Sequence, residues 1–138
     1  MIQFFISGVP VPQARPRTFW HKGLNRYCTM NPKESDVWRS IVKARAYPFR
    51  PKEPIDFPVR VNMEFYVPRP ANAKDREWAF VRPDLDNYIK GTLDALQGAN
   101  FFKDDSRVVW LEAKKFYSKD GRVGVRITVL AVEENPHG

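Results

Sequence analysis

The sequence predicts an α+β fold, a mixed β-sheet with two main helices packed on one side, in the order β, a possible hairpin, α, β, α, β, β. Three observations predict it. Val59 to Val67 alternates at strand period, with Val59, Val61, Met63, Phe65 and Val67 facing one way and Arg60, Asn62, Glu64 and Tyr66 the other. Two segments carry apolar stripes at helical spacing: Val37, Trp38, Ile41 and Val42, then Ile89, Leu93 and Leu96. Two further strand-like runs near the end are separated by Ser118-Lys119-Asp120-Gly121, a hairpin turn whose glycine can take positive φ.

The elements follow in order. Met1 to Gly8 alternates Ile2, Phe4 and Ile6 against Gln3, Phe5 and Ser7, and the prolines of Val9-Pro10-Val11-Pro12 end that strand by removing ladder donors. Within Gln13 to Thr29, Gly23 and Asn25 suit the turn of a short hairpin. Asn31-Pro32-Lys33-Glu34 is a helix start, with Asn31 as cap, Pro32 at the first helical position and Glu34 reaching back. That helix should fail before Tyr47-Pro48. The proline-rich stretch from Pro48 to Pro58 connects it to the Val59 strand, and a basic loop with Arg69, Lys74, Arg76 and Arg82 follows. The second helix is expected from about Asn87 to Gln97, stopped by Gly98. Val108 to Tyr117 and Arg122 to Val132 complete the sheet.

At 138 residues the chain reads as a single domain, 1–138, long enough to bury a real core. With 43% hydrophobic and 28% charged residues it is ordinary for a folded protein. One cysteine, Cys28, excludes an internal disulfide and the Cys-rich zinc patterns. His21 has no ligand-spaced companion. No apolar run approaches the roughly 20 residues that cross a bilayer, and no signal pattern opens the chain, so a cytoplasmic location and no membrane partner are expected.

The formal net charge of +7 makes the carboxylates of Arg82-Pro83-Asp84-Leu85-Asp86-Asn87-Tyr88-Ile89-Lys90 and Lys103-Asp104-Asp105-Ser106 conspicuous. Acids gathered in a basic background suit a hard cation held against a polyanion, and aspartate suits Mg²⁺ or Mn²⁺. In an extended stretch Asp84 and Asp86 point to the same side. Lys90 then lies one turn beyond Asp86. If the Val108 strand pairs next to the start of the second helix, Asp104 or Asp105 closes a three-carboxylate site fit for phosphodiester hydrolysis. Asp86 fits a helix cap as well as a ligand, and Asp104-Asp105-Ser106 also fits a plain polar turn.

These blocks, with Leu93-Asp94-Ala95-Leu96, Arg107-Val108, Arg15-Pro16-Arg17 and Tyr27-Cys28-Thr29, closely resemble the RusA family of Holliday junction resolvases. The resemblance covers most of the chain and preserves element order. It implies a homodimeric endonuclease that nicks four-way DNA junctions symmetrically with Mg²⁺, Mn²⁺ substituting, and needs no small-molecule cofactor. It makes Asp84, Asp86 and Asp105 the metal ligands and Lys90 the catalytic lysine, with Asp104 ranked below Asp105. It also implies a bacterial or phage origin.

The remaining cations are candidate DNA contacts: Arg15, Arg17, Lys22 and Arg26, interleaved with Trp20 and Tyr27, then Lys74, Arg76, Lys103, Arg107, Lys114 and Lys115. Trp20 and Tyr27 fit stacking on bases or packing under their loop. The alternative to a nuclease is a catalytically silent protein that binds branched DNA and uses its aspartates only as caps and turns. A phosphatase with a nucleophilic aspartate is disfavoured, because a basic, proline-broken loop precedes Asp84 where that chemistry wants an apolar strand.

Overall fold

The computed structural model describes residues 1–12, 17–30 and 33–138, with backbone only for residues 17, 19, 29, 30 and 33–35. Along the chain come β1 (Ile2–Ser7), β2 (Arg17–His21), β3 (Arg26–Met30), α1 (Lys33–Ala46), β4 (Val59–Val67), α2 (Leu85–Gly98), β5 (Val108–Tyr117) and β6 (Gly124–Ala131). The predicted α+β class and element order hold. The Asn31, Pro32 and Glu34 capping arrangement lies outside the described residues.

The main sheet has the order β1-β6-β4-β5. β1 and β4 each pair antiparallel with β6, while β4 and β5 are parallel. Parallel neighbours need a crossover, and α2 supplies it. β2 and β3 form a separate hairpin, in which Asn25 takes the left-handed turn (φ 51°).

Register explains which face is buried. Phe4 and Met63 both pair with Ile127, and Ile6 and Phe65 both pair with Val125, so all six side chains share one face and all are buried. Each such side chain contributes about 1.5–3 kcal/mol on leaving water. The alternate face carries Phe5, Arg60, Glu64, Tyr66, Trp110, Phe116 and Arg126, and neither helix covers it.

Both helix faces differ from the predicted stripes by a small rotation. In α1 the buried side chains are Trp38, Val42 and Ala46, with Ile41 at the margin and Val37 exposed. In α2 they are Tyr88, Thr92, Ala95 and Leu96, with Ile89 and Leu93 half-buried beside them. Tyr88 wins its place by stacking on Phe65 at 5.2 Å. Thr92 can be buried because its hydroxyl donates to the Tyr88 carbonyl at 3.0 Å.

The helix ends at Gly98, one residue beyond the predicted Gln97, but the left-handed turn falls on Asn100 (φ 65°), with Phe101 N–H returning to the Leu96 carbonyl at 3.1 Å. That reversal drops Phe101 and Phe102 into the core. β6 begins at Gly124, two residues later than predicted, because β1 approaches there too closely for any side chain. A Cβ at Gly124 would lie 2.1 Å from the Ile6 carbonyl oxygen.

Candidate active site

Asp84 is the residue immediately before α2, with extended backbone (φ −68°, ψ 144°). Its carbonyl accepts from Asn87 N–H, yet its carboxylate makes no capping hydrogen bond. Asp86 lies within the first turn. The helix therefore starts two residues before the predicted Asn87, and the expected extended pairing of Asp84 with Asp86 is corrected: one residue is extended, the other helical. Leu85 packs at the margin of the core and draws this first turn onto the sheet. Both carboxylates face solvent at the positive end of the helix dipole. Lys90 is exposed one turn after Asp86, as predicted.

Among the described residues, the side chains of Asp84, Asp86, Lys90 and Asp105 make no hydrogen bond or ion pair. Idle carboxylates at a helix N-terminus do not behave as caps. Asp104 does: its carboxylate accepts from Ser106 N–H at 2.9 Å and starts the 3-10 turn Asp105–Arg107. The Ser106 hydroxyl, followed by this backbone bond, holds the Asp104 carboxyl below the ordinary aspartate range. The adjacent aspartates thus divide, Asp104 bracing the turn and Asp105 left uncommitted.

Lys115 was read from the sequence as a phosphate contact, and it has an inward task instead. From β5 its ammonium donates to the carbonyls of Val81 and Pro83, each at 2.6 Å. It therefore pins the last residues before Asp84. Burial holds its pKa below the ordinary lysine range, opposed in part by the nearby charge of Asp84. A sequence signal existed: β5 alternation puts Lys115 on the face of Ala113 and Tyr117, the wrong side for a surface charge. The preceding loop is held by backbone bonds to the β5 edge, Ala79 N–H to Lys115 and Tyr117 N–H to Glu77.

The condition for a third ligand fails within one chain. α2 begins at the level of Phe65, which pairs with Lys115, whereas β5 begins opposite Val59. Asp105 precedes that far end, and Val108 is seven residue steps along the strand from Lys115, roughly 23 Å. Among the described residues no three acidic, histidine or cysteine side chains are grouped to hold a metal. Asp84, Asp86 and Lys90 lie within the first two turns of α2, while Asp105 stands at the other end of that helix. It is fixed there by Asp104 and by Asp56, which accepts from Arg107 Nε at 2.8 Å and from Lys103 at 3.4 Å.

Of the candidate DNA contacts, Lys22 and Arg26 are exposed on the β2–β3 hairpin, and Trp20 meets Tyr27 edge-on at 5.1 Å with both rings exposed. Arg15 and the Arg17 side chain lie outside the described residues. Lys74 and Arg76 are exposed in the connection between β4 and α2, Arg76 over Phe80, whereas Arg107 is committed to Asp56. No described helix is long and apolar enough to cross a membrane.

A small basic α+β protein with unpaired carboxylates and a lysine at one helix N-terminus is the class this fold and site define. The comparisons agree. The family model of endodeoxyribonuclease RusA matches residues 7–128, and the chain belongs to that family. It is 36% identical over 137 residues to the uncharacterized protein YqaN of Bacillus subtilis strain 168, covering 91% of this chain and 94% of that one. It is 33% identical over 89 residues to the crossover junction endodeoxyribonuclease rusA of Lactococcus phage r1t, covering 63% and 68%.

Proposed function

We propose that this chain is a metal-dependent resolvase of four-way DNA junctions that acts as a homodimer. The observation that carries the reading is the idle carboxylate pair Asp84 and Asp86 beside Lys90, in a chain of the RusA family and of net charge +7. The donor set fits a hard divalent ion, all oxygen and without hydrogen bonds, but within one chain Asp105 lies at the far end of α2 from Asp84 and Asp86. Asp84 and Asp86 would hold Mg²⁺ or Mn²⁺ with Asp105 of the partner subunit. Bound there, the ion would supply Lewis-acid chemistry to a scissile phosphodiester.

The chain's own residues do the rest. Hydrolysis adds water oxygen to phosphorus and expels a strand oxygen that takes up a proton. Lys90, an ammonium one turn from Asp86, can stabilise or protonate that oxygen. Lys115 keeps the Asp84 backbone in place. Two sites related by a two-fold axis match a junction whose opposing strands are cut in pairs.

The test is cleavage of a labelled four-way junction in Mg²⁺ by Asp86→Asn, by Asp105→Asn and by their mixture. Each variant alone should bind junction without cutting. The mixed dimer contains one site with both Asp86 and Asp105 intact, so mixing should restore single nicks. Loss of cutting by each variant without rescue would overturn the shared site. Junction binding with no cleavage by the wild-type protein would favour the silent branched-DNA-binding reading.

A further inference from the structure

The sheet face that the helices leave bare holds a cleft of about 380 Å³, within the size range of ligand sites. Its floor is aromatic. Trp78 stacks on Phe116 at 4.8 Å, and Phe116 stacks on Tyr66 at 5.6 Å, both within 24° of parallel. The stack breaks at Phe5, which is 6.3 Å from Tyr66 and tilted by 51°, and Phe5, Tyr66 and Phe116 all line the cleft.

The charges around it are unevenly committed. Each acid at the cleft already has a partner: Glu64 accepts from the Tyr66 hydroxyl, Glu77 pairs with Lys119, and Asp120 accepts from Arg122 N–H. The two guanidiniums are held only loosely. Among the described residues the side chains of Arg122 and Arg126 make no hydrogen bond or ion pair; Arg122 overhangs the Phe5 ring at 5.9 Å and feels the charge of Asp120, and Arg126 acts at a distance on the Tyr66 hydroxyl.

Aromatic rings beside two guanidiniums that make no hydrogen bond suit a planar base joined to a phosphate. We propose that this cleft takes an unpaired nucleotide of a DNA strand, its base against the rings and its phosphate at Arg122 and Arg126. A strand is favoured over a free nucleotide because the site does not close. Trp78, 56% exposed, extends the ring stack beyond the cleft and offers a place for the next base. The cleft lies on the face opposite α2, so this site goes beyond the proposed nuclease centre. It connects to that centre through the loop that carries Trp78 on one side of β5 and is pinned by Lys115 ahead of Asp84 on the other.

The test uses the full chain in metal-free buffer with a fluorescein-labelled oligo(dT), read by anisotropy and by amide NMR. Oligonucleotide should shift the resonances of Gly121, Gly124 and Arg126. The double variant Arg122→Gln, Arg126→Gln should bind it about tenfold more weakly, with the salt slope reduced by about one. Tyr66→Leu should weaken binding about tenfold without changing the salt slope, separating stacking from charge. Unchanged affinity in the double variant, or shifts confined to the β2–β3 hairpin, would overturn the proposal. Thymidine monophosphate binding as tightly as the oligonucleotide would overturn it in favour of a small-molecule site.

Discussion

The ammonium of Lys115 lies 2.6 Å from the carbonyl oxygen of Pro83, the residue immediately before Asp84. A second bond of the same length to Val81 makes this cation the clamp between β5 and the start of α2. Lys115→Met keeps the stem but removes the charge and leaves two carbonyls unpaired. Stability should fall by about 1–2 kcal/mol in a urea titration. Displacement of Asp84 should lower kcat by about 100-fold with KM little changed. Lys115→Arg should recover part of that loss, since a guanidinium can still donate to both carbonyls. A purely structural clamp would lower stability and leave kcat alone.

The neighbouring aspartates Asp104 and Asp105 should separate cleanly by substitution. Asp104→Ala removes the acceptor for Ser106 N–H and loosens the turn. Its melting temperature should fall while junction cleavage persists. Asp105→Asn touches no described partner, so its melting temperature should hold while cleavage falls by about 100-fold or more. The reverse pattern would assign the ligand role to Asp104.

Acid should loosen the Asp105 turn through Asp56. The Arg107 side chain, with Lys103 adding to it, holds the Asp56 carboxyl below its ordinary value. A depressed carboxyl binds fewer protons folded than unfolded, so its contribution is complete above the ordinary aspartate pKa. It is lost as pH falls through the depressed one. Melting temperature should therefore decline as pH drops below about 4, and Asp56→Asn should flatten that limb while lowering the plateau at neutral pH. An identical slope in the variant would place the acid sensitivity elsewhere.

What the sequence disclosed follows from which interactions are local. β4 and β5 were legible to the residue, because alternation of Val59, Val61, Met63 and Phe65 reports burial directly. Helix faces were legible only to within a small rotation, since the stacking of Tyr88 on Phe65 and the self-satisfied Thr92 hydroxyl depend on tertiary neighbours. The candidate acids were named from pattern and resemblance, but their separation was not visible. It depends on α2 running back along the sheet, so that Asp84 meets the end of β5 and Asp105 its beginning. Lys115 hid for the same reason, as its partners Val81 and Pro83 are more than thirty residues earlier.

At Gly124 the backbone of β1 leaves no room for a side chain on β6, and this position tests the register between the two strands. Its φ of +152° is one that side chains rarely adopt, and an added Cβ would sit 2.1 Å from the Ile6 carbonyl oxygen and 2.8 Å from the Phe5 ring. Backbone cannot yield to that degree without breaking the Ser7–Gly124 pairing that closes the sheet. Gly124→Ala should lose about 1–3 kcal/mol in denaturant unfolding. Gly121→Ala is the control: its Cβ would meet nothing within 4 Å, so only its positive φ of +81° is strained. That should cost about 1 kcal/mol. Equal losses at the two glycines would mean that backbone strain, and not the close approach of β1, sets the requirement. A larger loss at Gly124 would confirm the strand contact that places Phe5 against the cleft.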